Sequence, residues 1–117
     1  MFVDYVVVDP ATGAQRCRLE LGEPGELAET EIGRRLCTAY QEAVGGYIEL
    51  YSGFAGGLDV YVNEEGLPRR LAPNQLAAAL LRRVGVPVNS IPVGPVLIVG
   101  YDDQSLTEEQ CALLLAK

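Results

Sequence analysis

Phe2-Val3-Asp4-Tyr5-Val6-Val7-Val8 is an apolar, β-branched and aromatic run, closed by the turn-forming residues Asp9-Pro10-Ala11-Thr12-Gly13. It predicts a buried strand entering a hairpin. From Gln15 to Leu21, Cys17, Leu19 and Leu21 alternate with Arg16, Arg18 and Glu20. That period-two pattern predicts a return strand with one face on the core and one in water. Gly22-Glu23-Pro24-Gly25 breaks the strand, after which Ile32, Leu36, Ala39/Tyr40 and Ala43 recur at helical spacing up to Val44. Glu26, Glu29 and Glu31 early in this main helix, with Arg34 and Arg35 later, complement its macrodipole, and Gly45-Gly46 suits a left-handed stop.

Two further alternating runs, Tyr47-Ile48-Glu49-Leu50-Tyr51 and Leu58 to Asn63, flank the glycine-rich Ser52 to Gly57 and are expected to pair as a hairpin. Asn63-Glu64-Glu65-Gly66 reads as a turn, because Asn and Gly tolerate positive φ. Pro73 is placed to open a second helix, with Leu76, Leu80 and Leu81 inward, Arg82-Arg83 at its end and Gly85 as its stop. The proline-rich segment to Gly94 is an extended connection. Val96-Leu97-Ile98-Val99 is apolar without alternation, as a central strand covered on both faces requires. The last helix has a capping box, Thr107 with Gln110, and a staple from Leu106 to Cys111.

The order β-β-α-β-β-α-β-α, without internal repeats, describes a single α+β domain over residues 1–117. A mixed sheet packed on helices is expected, and a grasp-like sheet wrapped over the first helix is one candidate topology. The length of 117 residues suffices for one core and not for two. With 49% hydrophobic and 21% charged residues the chain is expected to fold as an ordinary soluble domain. A mean hydropathy of +0.14 is apolar for so small a protein, which favours a homodimer that covers part of its surface.

Nine basic against sixteen acidic residues give a net charge of −7, the wrong sign for displacing counterions from DNA or RNA. Direct nucleic-acid binding is therefore not expected. The apolar stretch from Val84 to Tyr101 is broken by Pro87, Pro92 and Pro95, so no membrane span is expected. Cys17, Cys37 and Cys111 are an odd, widely spaced set without a leader, which suits reduced and mostly buried thiols in the cytoplasm.

No histidine occurs, which removes imidazole-based triads and most catalytic zinc sites. The cysteines lack paired metal-ligand spacing, and Gly53, Gly56 and Gly57 form neither a dinucleotide fingerprint nor a phosphate loop. No catalytic residue, metal or cofactor is assigned on these grounds. Glu64 or Glu65 is the only plausible general base. The polar groups that do converge are Asn63, Glu64, Glu65, Gly66, Arg69, Arg70 and Asn74, a turn, two guanidinium groups and a helix start. Together they suit a nucleotide-like anion, although turns collect such residues for structural reasons as well. A second candidate is one strand face carrying Tyr47, Glu49 and Tyr51 with Asp59, Tyr61 and Asn63. Tyr47, Tyr51 and Tyr61 there suit a protein interface or a face covered by a helix.

The motifs from Val44-Gly45-Gly46-Tyr47-Ile48-Glu49 through Asp59-Val60-Tyr61-Val62-Asn63-Glu64-Glu65-Gly66, Pro73-Asn74 and Gly94 to Gly100, ending in Leu106-Thr107-Glu108-Glu109-Gln110, come in a fixed order. Over about residues 40 to 112 this order resembles domain-of-unknown-function family thirty-eight forty-six. The resemblance implies a bacterial protein, often borne on phages, prophages or plasmids, and no assigned reaction. It also places Asn63, Glu64, Glu65, Gly66 and Asn74 in the family pattern, with Gln75 standing where members often carry arginine. The function expected is a non-enzymatic binding or interaction module with a protein partner or itself. A small-anion binder at residues 63–74 is the alternative, and an enzyme with a glutamate base the third.

Overall fold

A computed structural model of the chain describes residues 1–116. Five strands, β1 (Phe2–Asp9), β2 (Gly13–Glu20), β3 (Ile48–Ser52), β4 (Leu58–Asn63) and β5 (Val96–Gly100), form one sheet in the order β2-β1-β5-β4-β3. Helix α1 (Glu29–Val44) covers one face of the sheet, while α2 (Gln75–Arg83) and α3 (Glu108–Leu115) cover the other. The element order is the one that the periodicities predict. β5, apolar without alternation, is the middle strand, and all five of its residues are buried.

Strand parity divides the core in two. Val6, Val8, Val60, Val96 and Ile98 turn toward α2 and α3, whereas Val3, Tyr5, Leu97 and Val99 turn toward Leu36, Tyr40 and Val44 of α1. The sheet is antiparallel throughout rather than mixed, so it has no parallel central pair of the grasp-like kind. The cause lies in the connection from β4 to β5. After α2 the extended residues 86–93 retrace the length of the helix until Val93 bridges Pro73, and β5 starts beside the end of β4. A helix alone would have delivered a parallel strand.

Several local expectations change in the folded chain. Arg34 and Arg35 sit mid-helix and pair with Glu31 at 2.6 and 3.1 Å instead of facing the C-terminal end of α1. Helix α2 opens at Gln75, capped by Asn74, two residues later than Pro73, and Leu76 is exposed while Ala77, Ala78, Leu80 and Leu81 are buried. Cys37 is exposed, Cys17 half-buried and Cys111 buried. The polar face of β2 does not simply meet water. Arg16 and Arg18 converge on Asp4, whose side chain is 2% exposed, at 2.6 and 2.7 Å, and Arg16 also holds Glu108 of α3. The capping box of α3 forms as predicted, and both Leu106 and Cys111 join the core. No helix among the described residues is long and apolar enough to cross a membrane.

Candidate functional site

The turn after β4 is built around Asn63. Its parity directs the side chain toward α1, where Nδ2 donates to the Val44 carbonyl at 3.0 Å and Oδ1 accepts the Glu65 N–H at 2.8 Å. The residue is buried, and both ends of its carboxamide are occupied by backbone. Gly66 is buried beside it, where a Cβ would come within 2.7 Å of Val93. Asn74 is fully buried and caps α2 by accepting the Ala77 N–H at 3.0 Å, while Nδ2 donates to Val8 and Gly94 carbonyls, each at 2.8 Å. The Asn74 carboxamide and the Ala77 N–H, two of the groups expected to meet an anion at this helix start, are thus spent on the fold.

Glu64, Glu65, Arg69 and Arg70 are exposed. Arg69 donates through Nη1 to the Gly45 carbonyl at 3.1 Å, which ties it to the end of α1. The turn is one local cluster, as its sequence spacing implies, but Asn74 lies on a different backbone junction. The tyrosines separate as well. The register pairs Ile48 with Asn63, Glu49 with Val62 and Leu50 with Tyr61, which puts Tyr61 on the α1 face and Glu49 and Tyr51 on the other. Tyr61 stacks on Tyr40 at 5.5 Å between centroids, and Tyr51 instead donates its hydroxyl to the Ser90 carbonyl. Tyr47, just before β3, is 66% exposed. The shared tyrosine face is corrected here, because reading the two strands separately gives each one's alternation but not the phase between them.

A groove of about 310 Å³ lies between the β3–β4 hairpin, the Asn63 turn and the extended residues 90–93. Val62, Leu67, Ile91 and Val93 contribute its apolar walls, and among the described residues Glu49 and Glu64 are its only charged lining residues. A second depression of about 400 Å³ continues along β3 and shares Glu49, Tyr51 and Ser90 with the first. Volumes of this size are ordinary for ligand and peptide grooves.

The edge of β3 borders both. Glu64 N–H donates to the Tyr47 carbonyl, which fixes the parity of the β3–β4 ladder. Ile48 and Leu50 accordingly direct their main-chain N–H and C=O groups away from β4, and no turn, cap or side chain meets them among the described residues. Leu50 is 53% exposed and Phe54 67%, the latter edge-on to Tyr101 at 4.8 Å. Sequence reasoning missed this edge, since it follows from strand order. At the other edge, β2 carries Arg16, Arg18 and Glu20, charges of the kind that discourage strand addition.

Beneath α1 a second polar cluster forms. Asp59 accepts N–H groups from Phe54 and Asp102, each at 3.1 Å, and Asp103 accepts the Tyr40 hydroxyl at 3.1 Å. Burial raises the Asp103 carboxyl above the usual range, against the Tyr40 hydrogen bond, with the neighbouring Asp102 and Asp59 adding to the rise. Among the described residues no group of three or more acidic or thiol side chains is arranged to hold a metal ion.

A family model described as Domain of unknown function (DUF3846) matches residues 19–117. The chain belongs to that family. No match was found among curated proteins or solved structures. The DUF3846 match takes in α1, both walls of the groove and the β3 edge, and begins only at the end of β2. β1 lies outside it, yet supplies Asp4 to the arginine pair and the Val8 carbonyl to Asn74.

Proposed function

We propose that this DUF3846 protein is a non-enzymatic binding module that engages another polypeptide through the open edge of β3 and the adjoining groove. Its setting, in this reading, is the cytoplasm, as an accessory protein of a phage, prophage or plasmid, the context that the family resemblance implies. One observation carries the binding reading: the unpaired main-chain groups of Ile48 and Leu50 border an apolar-walled groove. Such an edge gains hydrogen bonds from an added strand while the groove receives alternate side chains. The small-anion reading is weakened, because Asn74 already fills the α2 cap and Arg69 is tied to Gly45. For catalysis, Glu64 and Glu65 are exposed and make no side-chain hydrogen bond among the described residues, which gives a general base nothing to orient it. A second reading, self-association of two copies through β3, is favoured by the exposure of Leu50 and Phe54.

Selection of displayed random peptides on the immobilised full chain tests the module. Leu50→Pro removes an outward N–H without touching the β4 ladder, so the fold is retained. Peptides that bind the parent and not this variant are expected. A selection that enriches nothing, or only peptides indifferent to Leu50→Pro, sinks the reading.

A further inference from the structure

We infer that the segment taken up by the β3 edge is basic and extended, with Lys or Arg alternating with apolar residues. This rests on the β3 edge being a binding surface, and it adds the chemistry of what binds. A strand paired with β3 sends every second side chain to the groove face, about 6.8 Å apart along the strand. On that face the charged lining residues are Glu49 and Glu64, with no lysine or arginine beside them among the described residues. A cationic side chain opposite Glu49 pairs with it across the new edge, and Glu64, one strand further in at the end of β4, adds to the same negative field, whereas an acidic side chain there meets repulsion.

The intervening side chains fall on the opposite face of the sheet, beside Leu50 and the Phe54–Tyr101 pair. That surface is apolar and aromatic, so those positions are apolar in the incoming segment. The charge of the whole chain, −7, acts in the same direction by drawing a cationic segment toward the groove. A second copy is the poorer occupant. It brings another −7 and its own Glu49 and Glu64 to the same edge.

The test uses the full chain and two fluorescent heptapeptides, one of alternating Lys and Val, the other of alternating Glu and Val. Anisotropy titrations are expected to give about tenfold or more tighter binding of the Lys peptide, with the difference shrinking as salt rises from about 50 to 500 mM. The double change Glu49→Gln with Glu64→Gln is expected to weaken the Lys peptide about fivefold, and Glu29→Gln with Glu42→Gln, on α1, to leave it unchanged. Hydrogen exchange at the Leu50 amide is expected to slow in the complex. Equal binding of the two peptides, or equal loss in both double variants, overturns the inference, since the attraction is then absent or merely global. Displayed peptides that need Leu50 but carry neutral or acidic residues at alternate positions overturn the basic chemistry while leaving the β3 edge as a binding surface. A stable dimer in light scattering that Leu50→Pro dissolves assigns the edge to a second copy and also overturns it. If no peptide of any composition depends on Leu50, both readings fall together.

Discussion

Asn74 Nδ2 donates to the Val8 carbonyl at 2.8 Å, and so ties the start of α2 to the end of a strand sixty-six residues earlier in the chain. With its bonds to Gly94 and to the Ala77 N–H, the side chain is fully used and fully buried. Asn74→Ala is therefore expected to cost about 3 kcal/mol, the sum of a lost cap and two buried carbonyls left without a donor. Asn74→Asp keeps the cap but directs a carboxylate at those carbonyls, and is expected to be at least as damaging. Urea denaturation of the two variants checks both. A loss below about 1 kcal/mol in either would mean that water replaces the amide at little cost.

Asp4 predicts an acid limb in the stability profile. The Arg18 hydrogen bond, outweighing burial and aided by Arg16, lowers its carboxyl from the usual range to about 2. A depressed folded-state value means that the stabilisation is full above the unfolded value near 3.8 and is lost as pH falls toward 2. Because both arginines are partly exposed, the contribution is on the order of 1–2 kcal/mol. Asp4→Asn is expected to remove this amount at neutral pH and to flatten the profile between pH 4 and 2, in thermal melts across that range. An unchanged acid limb in the variant would falsify the assignment to Asp4.

Asp103 has the opposite sign. Its raised carboxyl means that ionisation is resisted in the fold, so stability is lost as pH climbs through the folded-state value. Asp103→Asn keeps an acceptor for the Tyr40 hydroxyl, ends repulsion with Asp59 and Asp102, and suits a backbone held at φ +59°. The variant is expected to be more stable than the parent at neutral pH, with the gain fading in acid. Destabilisation at neutral pH would show that the charge is used rather than tolerated.

Two of the thiols, Cys37 and Cys111, report on the two layers. Cys37 is exposed on α1 and is expected to react with a maleimide in the native protein. Cys111 is buried against α2 and β1, where burial raises its pKa, and is expected to react only as the fold opens. Mass spectrometry during a labelling time course separates the sites. Early modification of Cys111 would show that α3 detaches on its own.

Gly66→Ala probes the contact between the turn and the return segment. The added Cβ would approach Val93 Cγ2 at 2.7 Å and the Asn63 carbonyl at 3.3 Å, which forces the wall of the groove to move. A loss of about 1–2 kcal/mol in denaturant melts is expected. No measurable loss would mean that Val93 swings aside freely and that this wall is mobile.

Much of the fold is legible locally because its causes are local. The capping box at Thr107, the left-handed stop at Gly45 and the uninterrupted apolar run of β5 each declare an element through neighbours only a few residues away. The Asn63 turn is legible in the same way, as a cluster of residues that tolerate and complete a turn. Its role is not. The carboxamides of Asn63 and Asn74 could equally meet a ligand or the chain's own carbonyls, and only the arrival of Val44, Val8 and Gly94 decides that they meet the chain.

The amino-acid sequence by itself determined the element order, the central place of β5, the absence of imidazole chemistry and the excess of negative charge, since each depends on residue type and short-range spacing. Tertiary structure decided the strand order, the phase between β3 and β4 and the path of residues 86–93, all consequences of contacts between distant segments. Those contacts separate Tyr61 from Tyr51, bury Asp4 between two arginines and leave Ile48 and Leu50 at an open edge beside Glu49 and Glu64. A strand's alternation is a property of its own residues, but which of its edges stays free is a property of the whole sheet.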